Sequence, residues 1–294
     1  MNAEKEKRAI EYLKAFEPKD EPYYLCYSGG KDSDAIRILA QLAGVRHECK
    51  HNLTTVDAPE TVRYVRETIG RENIVSPEMS MWQLIVKNKY PPTQTMRYCC
   101  KYLKERGGKG RIKITGVRWA ESNNRAKNND VVKIIGGDAL PKTAEEMGVE
   151  YRTTPKKGGL VLNDDNAETR RFVEHCYRTT STMVNPIVDW SDDDVWEFLK
   201  HYGCKSNPLY YCGKTRIGCI GCPMGRTVGM KYDFNRYPKY RENYVRAFNR
   251  MLKARRDSGL NIPEKWTDGE AVMRWWMRDA PDDQIEMDFE DDEG

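Results

Sequence analysis

The sequence lacks any hydrophobic stretch long enough to cross a membrane. Of its 294 residues, 32% are charged, and no run approaches the roughly 18 consecutive apolar residues that a transmembrane helix needs. The first seven residues include four charged ones and lack the apolar core of a secretory signal peptide. We therefore expect a cytoplasmic protein with no membrane partner.

Histidine is scarce, and cysteine is missing from the C-terminal part of the chain. The four histidines show no spacing typical of metal ligands, and none of the nine cysteines lies beyond Cys222. An odd number of cysteines in a chain without an export signal argues against a disulfide framework. Metal binding or redox chemistry is the better explanation for them.

Two C-terminal regions each carry charge of almost a single sign: one has nearly no acidic residues and the other has no basic ones. Residues 236–256 contain eight Lys or Arg and one Glu, whereas residues 279–294 contain nine Asp or Glu and no Lys or Arg. The basic region is either a solvated helix face or a surface for a nucleic acid or a nucleotide. The acidic region is predicted to be a disordered tail.

A glycine-containing turn stands between a short apolar run and a helical pattern. Residues 23–27 (YYLCY) are typical of a buried strand, and apolar residues recur at helical spacing after residue 33. The adjacent glycines of the intervening SGGKDS let backbone N–H groups approach a ligand, and the following helix points its positive end at the same place. A lysine adds a full charge and two serines add hydroxyls, so the turn predicts a phosphate site. Its residues are Ser28, Gly29, Gly30, Lys31, Asp32 and Ser33.

The acidic residue of this turn has two interpretations. Asp32 could bind Mg²⁺ together with the phosphates, or it could cap the helix that begins there. Because Lys31 and two serines share the turn, the phosphate site is favoured. The spacing differs from that of the GxxxxGK[ST] loop, so this is a phosphate loop of another kind.

Strand patterns alternate with helix patterns over the first 203 residues. This alternation predicts an α/β fold with a mainly parallel twisted sheet and helices on both faces. Besides the strand and helix around the phosphate turn, we predict strands at residues 45–56, 111–117 and 185–190, and helices at residues 4–16, 59–69, 79–86 and 192–203.

The same patterns suggest a division into domains. We predict a nucleotide-binding α/β domain over residues 1–203, with an inserted and partly mobile segment at residues 127–165. Residues 204–278 are predicted to form a cysteine-containing loop followed by a helical region, ahead of the acidic tail.

Polar residues follow three of the predicted strands. In parallel sheets ligands bind beyond the carboxyl ends of the strands. The phosphate turn, Asp57 and Arg118 each follow a strand, so we expect them to converge on one crevice. The alternatives are that Asp57 is an ordinary helix N-cap before Pro59 and that Arg118 pairs with Glu121.

Two cysteine pairs are candidates for metal binding. Cys99 and Cys100 are adjacent, and Cys219 and Cys222 form a CxxC in a glycine-containing loop. A CxxC fits zinc, an iron–sulfur cluster or a redox pair. Adjacent cysteines cannot chelate one small ion without strain because their side chains diverge, whereas a cubane cluster offers separate iron corners.

Four motifs occur in order: the SGGKDS turn, the Cys-Cys pair, TGVRWAESNNRA at residues 115–126 and NPLYYCGKTRIGCIGCP at residues 207–223. With them, residues 23–225 resemble the phosphoadenosine/adenosine phosphosulfate reductase family, part of the PP-loop adenine-nucleotide hydrolase-like superfamily. The resemblance implies the PP-loop fold, a bound ATP or adenosine phosphosulfate with Mg²⁺ as a further candidate, and a [4Fe-4S] cluster.

The resemblance also implies which residues carry these roles. The implied cluster ligands are Cys99, Cys100, Cys219 and Cys222. The nucleotide would be bound by the phosphate turn together with Asp57, Arg118 and Arg125. Catalysis would depend on Lys31, Asp32 and Arg118.

The chain departs from the family at one point. The reductases use a catalytic cysteine in a C-terminal Glu-Cys-Gly-type motif, and no cysteine follows Cys222 here. A related branch, similar to the sulfurtransferases of DNA phosphorothioation and to tRNA-thiolating PP-loop enzymes, keeps the nucleotide site and the cluster and cleaves ATP to AMP and pyrophosphate.

Three hypotheses therefore stay open. The first is an ATP-pyrophosphatase that adenylates an acceptor for sulfur transfer. The second is a sulfonucleotide reductase that uses a non-standard thiol, Cys204 or Cys212, and the third is a non-catalytic nucleotide-binding iron–sulfur sensor. Candidate partners are a nucleic-acid or small-molecule acceptor and a cysteine desulfurase or thioredoxin-like donor.

Overall fold

The chain divides into two units in the computed structural model, which describes residues 2–154 and 159–278. Unit 1 comprises Met1–Asn52, Pro59–Val75 and Arg106–Ile217, and unit 2 comprises Leu53–Ala58, Ser76–Glu105 and Gly218–Gly294. The domain boundary predicted after residue 203 stays a prediction, and the predicted acidic tail lies outside the described residues.

Unit 1 contains the sheet. Its strands are β1 (Tyr23–Cys26), β2 (His47–Asn52), β3 (Ile74–Val75), β4 (Lys113–Ile114), β5 (Val132–Ile135), β6 (Arg152–Thr153), β7 (Gly159–Leu162) and β8 (Ser181–Val184). The helices of the chain are α1 (Ala3–Ala15), α2 (Lys31–Ala43), α3 (Pro59–Ile69), α4 (Met81–Asn88), α5 (Asn123–Asn128), α6 (Leu140–Glu146), α7 (Ala167–Cys176), α8 (Asp192–His201), α9 (Arg226–Arg236), α10 (Pro238–Asp257) and α11 (Gly269–Met277). Of these, α4 and α9–α11 belong to unit 2.

The sheet is mostly parallel, with helices on both sides, as predicted. Its strand order is β3-β2-β1-β4-β8-β5-β7-β6, and the first five strands in this order pair in parallel. The last three strands extend it in antiparallel pairing. These three strands come from the segment predicted as an insertion. The segment therefore adds strands to one edge of the sheet as well as loops.

The buried side of α2 packs in the core of unit 1. Ile36 and Leu39 of α2, Leu25 of β1 and Ile114 of β4 are all fully buried. Burying each such side chain contributes about 1.5–3 kcal/mol. This packing fixes the helix whose first turn carries the predicted phosphate residues.

The strand predicted at residues 185–190 is wrong. The strand is β8, which ends at Val184, and the apolar residues after it lie in turns, with N–H groups of Val188 and Trp190 donating to carbonyls three residues earlier. Pro186 has no N–H to give to a sheet, and the Asn185 side chain donates to the Asp130 carbonyl instead. Residues 185–190 are mostly buried because this loop packs over the core, and a largely apolar run of this kind resembles a buried strand in the sequence.

Unit 2 has an aromatic core. Trp276 of α11 lies with its ring centroid 4.7 Å from that of Tyr244 and 5.3 Å from that of Phe248, both on α10. Trp82 of α4 meets Tyr244 edge-on at 4.9 Å. The predicted basic region becomes α10, where Arg246, among others, is exposed; a nucleic-acid role for it stays a prediction.

Across the described ranges, none of the helices combines the length and the apolar character required to span a bilayer. The predicted cytoplasmic location stays a prediction.

Candidate nucleotide site and cysteine cluster

Three adjacent parallel strands bring charged residues to one edge of the sheet in unit 1. Beyond the carboxyl ends of β1, β4 and β8 the chain continues to Lys31, Arg118 and Asp192 respectively. The order of strands reverses at β1, which lies between β2 and β4. Open α/β sheets bind their ligands at such a switch point. The structure thus brings the phosphate turn and Arg118 together.

The backbone of the phosphate turn requires glycine. Gly29 has a φ of 75°, and a Cβ atom there would lie 2.7 Å from Cγ2 of Val65. Gly30 is the extended N-cap of α2; its N–H donates to the Ser33 hydroxyl at 3.1 Å, and that hydroxyl donates to the Gly30 carbonyl at 2.7 Å. The Ser28 hydroxyl lies 3.3 Å from that of Ser33. The turn is therefore closed by its own small residues at the positive end of the helix dipole.

Four charged side chains form one network at the start of α2. The Arg118 guanidinium donates from Nε to Asp32 at 2.7 Å and from Nη2 to Asp192 at 2.6 Å. Lys31 Nζ lies 3.2 Å from the same Asp192 oxygen and 3.7 Å from Asp32. Arg118 is 1% exposed, whereas the Asp192 side chain is 69% exposed. Two buried cations are thus held by carboxylates, one of which faces solvent.

This network holds Arg118 and Asp192 in the ionised state. Burial works to lower the pKa of Arg118, but Asp32 and Asp192 outweigh it and leave that pKa raised. Burial works to raise the pKa of Asp192, but hydrogen bonds to Arg118 and Lys31 leave it lowered. A polyphosphate arriving here would find two fixed cations and two carboxylates, the ligand type that Mg²⁺ prefers.

A close backbone approach positions the loop that carries Arg118. A Cβ atom on Gly116 would lie only 3.0 Å from both the Cβ and the carbonyl oxygen of Asp32. The loop is held further by the Trp119 N–H, which donates to the Val188 carbonyl at 2.8 Å. Glycine at position 116 therefore lets Arg118 reach the phosphate turn from the neighbouring strand.

Asn207 and the segment Pro208–Cys212 lie far along the sequence and form hydrogen bonds with the phosphate turn. The Lys31 N–H donates to the Tyr210 hydroxyl at 2.9 Å. The fully buried Asn207 donates from Nδ2 to the Gly29 carbonyl at 3.0 Å and to the Thr61 hydroxyl at 3.1 Å. Sequence reasoning assigns these residues no role; their presence in the NPLYY motif is the signal that could have found them.

Asp192 is a second residue that sequence reasoning misses. Its run of three aspartates after Ser191 is typical of a capped helix start, and Ser191 does cap α8. The predicted site residue Arg125 is paired with Glu121 rather than with the phosphate turn. Arg216 lies 3.6 Å from the same Glu121. A nucleotide contact by Arg125 stays a prediction.

Asp57 belongs to unit 2, beside the CxxC segment. It forms an isolated antiparallel bridge with Cys219, and the neighbouring Ile220 N–H donates to the Val56 carbonyl at 2.7 Å. The Asp57 carboxylate accepts from the Thr54 N–H at 2.6 Å. This carboxylate therefore closes its own turn against the cysteine segment, and its predicted role at the nucleotide stays a prediction.

The CxxC loop is tightly held. Gly221 has a φ of 68°, and a Cβ atom there would lie 2.3 Å from the Phe234 ring. Its N–H donates to Asp233 at 3.0 Å, and the Ile220 carbonyl accepts from the buried Tyr244 hydroxyl at 3.1 Å. The positions of Cys219 and Cys222 are thus fixed by the core of unit 2.

All four predicted cluster cysteines lie in unit 2, and all are free thiols. The interaction between the adjacent thiols raises the pKa of Cys99 and lowers that of Cys100. The charges of Cys219 and Cys222 also act on Cys99. Burial raises the pKa of Cys219 and the positive charge of Lys104 opposes this rise, while the charge of Cys219 raises the pKa of Lys104. Two distant segments thus bring four thiols and a cation into one neighbourhood.

Within residues 2–154 and 159–278, no three His, Cys, Asp or Glu side chains converge closely enough to hold a single metal ion. The donor set still fits an iron–sulfur cluster, whose ligands are thiolates. A cluster presents separate iron corners, so its thiolates do not need to converge on one point. The four cysteines stay the predicted ligands.

The family model of the phosphoadenosine phosphosulfate reductase domain matches residues 22–224. This range includes the phosphate turn, both cysteine pairs and the NPLYY motif. The chain therefore belongs to the phosphoadenosine phosphosulfate reductase family, as its motifs suggested.

Each match to an individual relative covers only part of that relative's length. An uncharacterized 37.8 kDa protein of Escherichia phage 186 is 31% identical over 45% of this chain and 37% of its own. The adenosine 5'-phosphosulfate reductase of Allochromatium vinosum is 44% identical over 16% of this chain and 18% of its own. An uncharacterized protein of Methanocaldococcus jannaschii is 24% identical over 88% of this chain and 54% of its own. The chain thus spans about half, or less, of these curated relatives.

Solved structures with related folds have low sequence identity to this chain. The phosphoadenylyl-sulfate reductase of Candida auris superposes with a TM-score of 0.42 at 15% identity, covering 72% of this chain and 87% of its own. The U34-tRNA thiolase of Methanococcus maripaludis, solved with its [4Fe-4S] cluster, has a TM-score of 0.39 at 12% identity, covering 90% of this chain and 83% of its own.

Proposed function

We propose that the protein binds ATP at the start of α2 and cleaves it between the α- and β-phosphates, adenylating an acceptor for sulfur transfer. The network of Lys31, Asp32, Arg118 and Asp192 at the sheet's switch point carries this proposal. Family membership supports an adenine nucleotide as the ligand.

The chemistry that we propose assigns a task to each residue. An acceptor oxygen attacks the α-phosphorus and forms a bond to it, and the bond from the α-phosphorus to the bridging oxygen breaks so that pyrophosphate leaves. Lys31 and the N–H groups of the phosphate turn stabilise the charge on the departing pyrophosphate. Arg118 orients Asp32 and Asp192, whose carboxylates would hold Mg²⁺, which would supply positive charge to the phosphates. A sulfide-level nucleophile supplied by a donor then attacks the activated carbon of the acceptor, and the carbon–oxygen bond breaks so that AMP leaves.

The four cysteines of unit 2 would hold a [4Fe-4S] cluster. Bound there, it would supply a centre that stores charge or passes an electron or sulfur. In this proposal Lys104 offsets the negative charge of the thiolates, and the Asp57–Cys219 bridge fixes one edge of the loop.

Sulfonucleotide reduction is the second candidate, because the matching family model is that of a reductase domain. That reaction needs a thiol nucleophile, and residues 223–294 contain no cysteine. Cys204 and Cys212 are the remaining candidates for this role.

The test compares Lys31→Ala with Lys142→Ala. Lys142 is an exposed lysine paired only along its own helix with Glu146, so it controls for loss of a positive charge. In calorimetry we expect Lys31→Ala to weaken MgATP binding by about 1.5–3 kcal/mol, because a charge-assisted phosphate contact is lost. Equal affinities in both variants would contradict a phosphate role for the turn.

Products distinguish the two candidate reactions. In an anaerobic acceptor screen we expect AMP and pyrophosphate from ATP in the wild type and not in Lys31→Ala. Thioredoxin-dependent sulfite release from adenylyl sulfate that is lost in Cys204→Ser or Cys212→Ser would establish the reductase instead. Nucleotide binding without either set of products would favour a sensor.

A further inference from the structure

A cavity of about 530 Å³ opens in unit 1 on the later turns of α2. Its walls come from α2, from α3 and from the residues that follow α8. Its volume is in the range of small-molecule sites. None of the residues predicted to bind the nucleotide lines it.

Two cations line this cavity without a carboxylate partner in the part of the chain that the structure describes. Arg37 and Lys205 both line the cavity and take part in no ion pair there. The Arg37 Nε is buried and has no hydrogen-bond partner, while its Nη1 donates only a long bond, 3.4 Å, to Gln41. A buried donor left without an acceptor is unfavourable, so an acceptor supplied by a ligand would stabilise this side chain.

Asp34, a carboxylate on which the charge of Arg37 acts, is already engaged by other donors. Asp34 is fully buried and accepts from the Tyr27 hydroxyl at 2.5 Å and from the Tyr64 hydroxyl at 2.9 Å, one bond to each oxygen. Burial raises the pKa of Asp34 to about 6, but what separates it from Arg37 is geometry, because both of its oxygens accept from tyrosine hydroxyls and neither forms an ion pair with Arg37 in the described structure. The positive charge of Arg37 therefore faces the cavity.

We propose that this cavity is a second ligand site, which binds a small organic anion. Arg37 and Lys205 bind its carboxylate or phosphate, and the apolar part of the ligand packs against Ile38 and Leu42, which also line the cavity. Two cations beside an apolar wall match an amphipathic anion better than a neutral or cationic molecule. This inference does not depend on the adenylation chemistry, because no residue of that chemistry is used.

Cys204 makes the proposal measurable. It lines the cavity and is half-buried, and burial raises the pKa of its thiol. A ligand in the cavity would shield this thiol from alkylation. Cys212 lies beside Tyr210 in the segment that braces the phosphate turn, and so serves as the control thiol in the same sample.

The experiment measures alkylation of each thiol by iodoacetamide, resolved by peptide mass spectrometry. The probes are phenyl phosphate and benzoate, with benzyl alcohol as the neutral control. We expect one or both anions to slow alkylation of Cys204 and not of Cys212, and which of the two does so identifies the preferred headgroup. Benzyl alcohol should leave both rates unchanged.

Variants establish where the probe acts. Arg37→Gln and the exposed Lys205→Gln should each raise the concentration for half-protection by about tenfold, the effect of losing one charge-assisted contact. Because Lys205→Gln changes only a surface side chain, it tests the proposal even if Arg37→Gln folds poorly. Lys31→Ala should leave protection unchanged. No protection by either anion, equal protection by benzyl alcohol, unchanged protection in Lys205→Gln, or loss of protection in Lys31→Ala would each overturn the proposal.

Discussion

Arg118 shows how one side chain can organise a site. Its planar guanidinium directs separate N–H groups at Asp32 and Asp192, and a third to the Trp190 carbonyl at 3.1 Å. Lysine has a single ammonium and cannot hold two carboxylates in this fixed geometry. We therefore infer that the main role of Arg118 is to position the two acidic groups.

This view predicts the effect of Arg118→Gln. Loss of the guanidinium leaves Asp32 and Asp192 without their main partner, so we expect the free energy of unfolding to fall by about 2–3 kcal/mol. The loss is smaller than for a fully buried ion pair because water can reach both carboxylates. Arg118→Lys should recover only part of this. Chemical denaturation checks both. The control is Arg171→Gln, whose exposed ion pair with Glu168 should matter by less than about 1 kcal/mol; similar losses at both positions would contradict the positioning role.

At the scale of elements, the segment Pro208–Cys212 and the start of α2 act as a pair. The Tyr210 hydroxyl accepts from the Lys31 N–H, one of the first-turn donors that a helix cannot satisfy by itself. A bound phosphate would compete for that donor. The segment therefore stabilises the turn while no ligand is bound. When a phosphate accepts from the Lys31 N–H, the hydrogen bond to the Tyr210 hydroxyl must break.

Tyr210→Phe tests this competition. Without ligand we expect the variant to be about 1 kcal/mol less stable, because one hydrogen bond is lost. With MgATP we expect affinity to rise by up to about fivefold, because the competing acceptor is gone. Thermal unfolding and calorimetry measure the two effects. Tyr211→Phe is the matched control, since Tyr211 is 77% exposed and should change neither; weaker ATP binding in Tyr210→Phe would show that the hydroxyl belongs to the binding site itself.

Sequence signals found those parts of the site that are local. Adjacent glycines, a lysine and a following helix are all within residues 28–43, and Arg118 follows directly on a β-branched strand. Asp192 and Tyr210 come from distant segments, and each has an ordinary local explanation as part of a helix start or a short turn. The role of Asp192 depends on β8 lying beside β4, a pairing that no local pattern encodes.

At the scale of the whole chain, the two units interleave in sequence. Leu53–Ala58 and Ser76–Glu105 interrupt the α/β unit and belong with the C-terminal helices in unit 2. Alternating strands and helices continue on either side, so the sequence pattern does not reveal the interruption. One consequence is that the four cysteines, although far apart along the chain, all belong to unit 2.

Because these ligands would join distant segments, removing a cluster should loosen unit 2 first. Anaerobically purified protein should contain iron and acid-labile sulfide in equal amounts, and Cys219→Ser should lose both. Limited proteolysis should then cut Cys219→Ser within residues 76–105 and 218–278 sooner than in unit 1. Cys212→Ser, which removes a thiol of unit 1, should retain iron and the wild-type cleavage pattern. Stoichiometric zinc without iron or sulfide would show that the four thiols serve another metal, and an unchanged cleavage pattern in Cys219→Ser would show that unit 2 is held by its aromatic core alone.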